Sequence, residues 1–247
     1  MKSCSLSVAS LALLALVAFT APLSAVETAK PAAAPATGGF ANMLSSTGLT
    51  QDQYLSGLKT GLGAAVDMAS SDTAKAGAFQ MGAPASMAKL EGMLKAANQT
   101  GALDGFKSSL NASAASVAPQ ATTALKGVIG SLSLTDAAAL SVGGSDAATK
   151  MLRKVSEPTL RTKLMPLVSQ AIAANGTAAK AKAMAAKAGP MAAMMGVPGT
   201  TDLENYVFTQ VLDTTFGYVA KGEAAIRANP ALLKDAYAKA VFSAAKK

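Results

Sequence analysis

Histidine and tryptophan are absent from this chain, and its single cysteine is Cys4, at the extreme N-terminus. Without histidine there is no Ser-His-Asp triad, no imidazole general base and no histidine-ligated zinc. One thiol cannot close an intramolecular disulfide or build a cysteine metal cluster. Charged residues make up only 15% and aromatics 4%, which leaves little material for a dense basic, aromatic-studded nucleic-acid surface. What is abundant is alanine. It supplies 57 of 247 residues, nearly half of the 51% hydrophobic fraction, so the large side chains that anchor a core are scarce and their positions informative.

The first residues read as an export signal. Lys2 precedes an apolar run from about Leu6 to Phe19, and Pro22-Leu23-Ser24-Ala25 offers a small-residue cleavage site after Ala25. The run is shorter than the roughly 20 apolar residues that a bilayer span needs. Cys4 lies before it, where a lipoprotein cysteine would lie after it. Removal of residues 1–25 takes away the only thiol and one basic residue, leaving 21 basic and 14 acidic side chains, net +7. No later stretch reads as a membrane span, so a periplasmic or secreted product is expected.

Residues 26–48 are rich in Ala, Pro, Gly, Ser and Thr and predict a flexible tether. Residues 49–247 predict a single all-α domain, a bundle of roughly 8–10 helices with no sheet, because no window alternates in the β manner. Thr50 and Gln53 have capping-box spacing ahead of Tyr54, Leu55, Leu58, Leu62 and Val66, with the helix fading at Ser70-Ser71. Met87, Leu90, Met93 and Leu94 form the stripe of a helix over 84–100, closed by Gly101. Two helices, Leu103–Val117 and Gln120–Leu132, are expected on either side of Pro119. Thr135 is read as the cap of a short helix starting at Asp136 and stopping at Gly143-Gly144. Ser145 caps the next helix, with Asp146 in its first turn. Ser156 caps a third, with Pro158 in its first turn and Pro166 as an internal kink, and Gly176 ends it. Residues 177–188 are an Ala/Lys helix. Thr201 is expected to cap the longest periodic stretch, Asp202 to Ala228, which Asn229-Pro230 stops before a last helix over Ala231–Phe242. Six of the ten aromatics beyond residue 25 follow residue 205, which predicts a large-residue core at the C-terminal end.

The run LSLTDAAALSVGGSDAATKMLR (132–153) resembles a signature of bacterial exported proteins grouped as domain of unknown function 4197. DLENYVFTQVLDTTFGYVAKGEAAIRANP (202–230) is similar to that family's second signature, including Asp202, Asp213, Glu223 and Pro230. Pro166-Leu167-Val168 resembles its Pro-Ile-Val, and GLKTGLGAAVDMAS (57–70) fits its first helix. Thr214-Thr215 departs from a usual Gly-Leu. The resemblance implies an all-helical envelope protein, and it carries over no catalytic residue.

Candidate sites are few. Gly143-Gly144 ahead of Asp146 could form an anion nest, but the carboxylate already occupies the positive helix end, so a helix-to-helix joint is the better reading. Arg153, Arg161 and Arg227 are the only arginines. Arg153 and Arg227 read first as structural partners of Asp202, Asp213, Glu157 or Glu223, and second as a clamp for an anionic headgroup. Met184, Met191, Met194 and Met195 could bind Cu(I), though clustered methionines more often fill gaps or line a groove. No metal or cofactor is expected. The leading expectation is a non-enzymatic exported protein binding a lipid, another apolar molecule or an envelope partner. Its groove would lie among the C-terminal helices, with Arg153, Met165, Tyr206, Phe216 and Arg227 as its candidates. A scaffold without a pocket is the second reading, and a carboxylate-based hydrolase the third. The lysine excess implies weak, salt-sensitive attraction to anionic surfaces and no nucleic-acid partner.

Overall fold

Thr50 and Gln53 cap each other as their spacing predicts. The Gln53 amide donates to the Thr50 hydroxyl at 3.3 Å, and the Thr50 amide donates to Gln53 Oε1 at 3.0 Å. Helix α2, Gln51–Thr73, grows from this box and runs straight through Ser70-Ser71. The computed structural model describes residues 37–140, 146–188 and 199–244, all of which fall within one compact unit, Pro35–Lys247. Among the described residues there are nine α-helices and no strand, so the all-α expectation holds. The signal-like segment 1–25, Gly143-Gly144, Ser145, Met191, Met194 and Met195 lie outside the described residues.

The tether prediction fails over its last part, because Thr37–Thr47 is helix α1. The Phe40 ring meets Tyr54 edge-on at 5.4 Å, and the Tyr54 hydroxyl donates to Met43 Sδ at 2.8 Å. One aromatic contact with α2 gives an otherwise small-residue segment something to fold against. After α2, a 3₁₀ turn at Ala85–Met87 leads into α3, Ala88–Ala96. Gly101 does not close α3. Asn98 does, at φ 54°, with Asn98 N–H bonded to the Lys95 carbonyl and Gln99 N–H to the Leu94 carbonyl, a Schellman closure.

The largest departure is α4, one helix over Thr100–Gly130 that passes through Pro119. α6, Ala147–Ala174, likewise passes through Pro158 and Pro166. All three prolines are exposed, so the lost hydrogen bonds fall on the solvent side, where long helices open slightly as they curve round a core. The buried stripe continues unbroken on the other side: Leu103, Phe106, Leu110, Val117, Leu125 and Ile129 in α4. Each such side chain contributes about 1.5–3 kcal/mol on burial, which together exceeds the roughly 3 kcal/mol an interior proline costs. Ser156, expected as a cap, is instead a fully buried residue inside α6.

Caps shift elsewhere too. α5, Leu134–Leu140, begins from Ser133 and not Thr135: Ser133 N–H and Oγ both bond Asp136 Oδ2, at 2.8 and 2.7 Å. Asp146 is the N-cap of α6, and Gly176 ends that helix in the left-handed conformation, φ 60°, before α7, Thr177–Lys187. α8, Thr200–Ala228, starts from Gly199, whose amide donates to Asp202, so Thr201 is already helical. Pro230 opens a 3₁₀ turn, and α9, Ala236–Ala244, follows from Asp235, whose carboxylate accepts from Ala238 N–H at 2.7 Å.

Helices α2, α4, α6 and α8 pack on one another to form the centre, with α9 laid against α2 and α7 against α4. The close crossings rest on missing side chains. A Cβ on Gly57 would come within 2.6 Å of the Tyr237 backbone, and one on Gly222 within 3.0 Å of the Ala65 carbonyl. The core is not concentrated at the C-terminal end. Tyr54, Phe106, Met87 and Leu94 are among its largest fully buried side chains, beside Phe208 and Phe242. Sequence-distant apolar stripes converge because every central helix buries one.

Candidate functional site

Two kinds of place could carry function: a sealed polar joint inside the bundle, and an open seam on its outside. The joint is built by α8 and the first turn of α6. Glu223 is fully buried (0% exposed), and Arg227, one turn later, is 8% exposed. Arg227 Nε and Nη2 both bond Glu223 Oε1, at 2.8 and 2.7 Å. The other oxygen, Oε2, accepts from the Thr149 amide at 2.8 Å and from its hydroxyl at 2.5 Å. Thr149 is the third residue of α6, so Glu223 caps that helix from a different part of the chain and meets the positive end of its dipole. The Arg227 guanidinium also lies over the Phe242 ring, 5.3 Å from its centre. Both Glu223 oxygens and two of the three guanidinium nitrogens of Arg227 have partners, the pairing that a buried ion pair requires.

Arg153 pairs with Asp213 across the α6–α8 contact at 2.5 Å, reaches Glu157 at 3.9 Å and stands 5.8 Å from the centre of Phe216. Arg161 repeats the arrangement a little further along α6, 4.4 Å from the centre of the buried Phe208 ring and bonded to Asn205 at 2.9 Å. These arginines are therefore stacking and pairing groups between two helices, which is the structural reading of them.

The five side chains expected to line a groove among the C-terminal helices are not all brought to one place, although Arg153 and Phe216 are neighbours. Phe216 is buried in the core, and Met165 is half-buried against it. The Tyr206 hydroxyl donates to the Gly82 carbonyl at 3.0 Å, and burial pushes its ionisation above the ordinary tyrosine value. Tyr206 and Arg227 both lie on α8, separated by about 30 Å of helix at 1.5 Å per residue. One small ligand cannot touch both. Met184 is buried in the core, and no cluster of three or more acidic, cysteine or histidine side chains suited to a metal occurs among the described residues.

The open seam runs between α4 and α6. One cavity of about 410 Å³ is lined by Gly127, Val128, Ser131, Asp136, Val155 and Thr159, with Leu132 and Lys163 completing its wall. A second, of about 390 Å³, continues past Pro119, Gln120, Thr123, Ala124, Leu164 and Leu167. Gly127 and Lys163 line both, so the two form one trough. Each falls in the volume range of small-molecule sites. Val155, Thr159, Lys163 and Leu167 repeat every fourth residue along α6, a signal present in the sequence but masked by its low hydropathy contrast. Val155 is an exposed large apolar residue at this seam, 41% accessible. Lys163 makes no hydrogen bond or ion pair among the described residues, and neither cavity holds two carboxylates.

A family model, described as a protein of unknown function (domain of unknown function 4197), matches residues 48–243. No curated protein and no solved structure matches the chain. Among the described residues no helix is long and apolar enough to cross a membrane.

Proposed function

The chain belongs to this family of unknown function, and from that premise we propose that it is a non-enzymatic exported protein that holds an amphipathic small molecule in the α4–α6 trough. The observation that carries the reading is the pair of adjoining cavities, with apolar edges from Val128, Val155 and Leu167 and one ammonium, Lys163, shared between them and without an ion pair among the described residues. Apolar walls with a few oriented polar groups are what a site for such a molecule needs. Export rests on the apolar run and the small-residue stretch ending at Ala25, and is tested by the mass of the secreted product, which begins at Val26 if cleavage follows Ala25. Binding is tested by native mass spectrometry and calorimetry with twelve-carbon amphiphiles below their micelle concentrations. Ala124→Trp, which sets an indole in the second cavity, is expected to abolish the complex while leaving the helical circular dichroism intact. Absence of any bound amphiphile in the wild type sinks the proposal and favours a scaffold, a reading to which the buried Glu223–Arg227–Thr149 joint lends weight.

A further inference from the structure

The two cavities of the trough differ in charge, and the difference selects a ligand class. Cavity two has a single charged lining residue, Lys163, among Ala124, Leu164 and Leu167. Cavity one has Lys163 and also Asp136, and no ion pair joins them or links either to another side chain among the described residues. Asp136 is half-buried and held in place by the two bonds from Ser133, so its charge is fixed in position. Gly127, Val128 and Ser131 bring the carbonyl end of α4 to the same cavity, which is the negative end of a 31-residue helix. One of its last carbonyls, that of Gly130, already receives a lysine, Lys59, at 2.8 Å. The Thr159 hydroxyl makes no bond among the described residues, and the Ser131 hydroxyl donates to Val128 while keeping acceptor capacity. Cavity one therefore offers a negative wall and a positive wall facing one space, and cavity two offers an apolar continuation from the positive side.

Resting on the reading of the trough as a binding site, we propose that its ligand is a single-chain amphiphile with a zwitterionic headgroup. The cationic group sits in cavity one against Asp136 and the α4 carbonyl end. The anionic group sits at Lys163, and the aliphatic chain lies over Ala124, Leu164 and Leu167 in cavity two. A purely anionic head would leave Asp136 facing a like charge, and a purely cationic head would leave Lys163 without a partner at the mouth of the apolar cavity. Attraction at both ends requires both signs.

The test uses the full chain purified after export and five probes: dodecylphosphocholine, dodecyl sulfate, dodecyltrimethylammonium, dodecyl maltoside, and phosphocholine without a tail. Dodecylphosphocholine is expected to bind at least tenfold more tightly than the other tailed probes, and free phosphocholine at least a hundredfold more weakly. Lys163→Ala is expected to weaken dodecylphosphocholine and dodecyl sulfate about tenfold, with dodecyl maltoside unchanged. Asp136→Asn, which keeps an acceptor for Ser133, is expected to weaken dodecylphosphocholine but not dodecyl sulfate. Equal binding of all four tailed probes, unmoved by either variant, overturns the zwitterion assignment and leaves the trough intact as an apolar site. Binding of free phosphocholine as tight as the tailed form overturns the role of cavity two. If no tailed probe binds, both the assignment and the trough fall together.

Discussion

The two flanks of α6 make opposite use of charge. At its N-terminal turn, Thr149 bonds the buried Glu223, which in turn pairs with Arg227, so both carboxylate oxygens are bonded. Along its outer face, Lys163 stands at the edge of an open trough with no ion pair among the described residues. Thr149 lies in the 132–153 stretch and Glu223 and Arg227 in the 202–230 stretch, so the two recognisable signatures close on each other in the interior. The trough is lined mostly by small and aliphatic side chains, with two charges, Lys163 and Asp136, the second of them also within the 132–153 stretch. In an alanine-rich bundle with few large side chains, a buried ion pair that fixes one helix end onto another supplies register that packing alone would leave loose.

Breaking the joint is predicted to have the largest effect. Glu223→Gln leaves the buried Arg227 without a counter-charge and sets an amide NH2 against either Arg227 or the Thr149 donors, with an expected loss of about 3–5 kcal/mol in urea unfolding. The double variant Glu223→Leu, Arg227→Met removes both charges and is expected to be less destabilised than the single one. If the single variant loses less than the double, the joint is not holding the helices as described.

The helix crossings sharpen the same contrast on a smaller scale. Gly57→Ala drives a methyl into the Tyr237 backbone and is expected to cost about 1–3 kcal/mol. Gly63, in the same helix, has nothing within 4 Å of its absent Cβ, so Gly63→Ala is expected to gain about 0.5–1 kcal/mol. Equal effects of the two, read from urea midpoints, would deny that close approach sets the α2–α9 contact. Thr215 provides a related test. Its hydroxyl is buried without a hydrogen-bond partner among the described residues. Thr215→Val is therefore expected to stabilise the fold by about 1 kcal/mol in thermal unfolding.

The smallest effect belongs to the surface. Bonds from Lys95 and then Lys107 hold the Glu91 carboxyl below its ordinary value of 4.5. A lowered folded value means its stabilisation is present above pH 4.5 and is lost as pH falls through the folded value. The stability gap between wild type and Glu91→Gln, expected to stay under about 1 kcal/mol, is predicted to close on acidification. A gap that widens at low pH contradicts the pairing.

Periodicity made most helices legible, and chemistry made some of their ends legible: Thr50-Gln53, Gly176 and Pro230 act where their types imply. Pro119, Ser156 and Pro158 mislead because a local breaker or cap signal was outweighed by a long stripe buried on the opposite face. Glu223 and Arg227 could be paired from helical spacing, four residues apart. Thr149 could not, since nothing local says that a carboxylate 74 positions away will cap its helix. The trough escaped for the converse reason. Its wall on α6 is Val155, Thr159, Lys163 and Leu167, a row of mixed polarity that reads as an ordinary solvent face, while the aromatics of α8 that suggested a groove are largely spent on the core.

The most direct test of this division is an amide chemical-shift map of the full chain titrated with dodecylphosphocholine. The prediction is that perturbations gather on residues 119–136 and 155–167, with Tyr206, Phe216 and Arg227 unmoved. Shifts centred instead on α8 around Tyr206 and Phe216, with the α4–α6 seam silent, would contradict it.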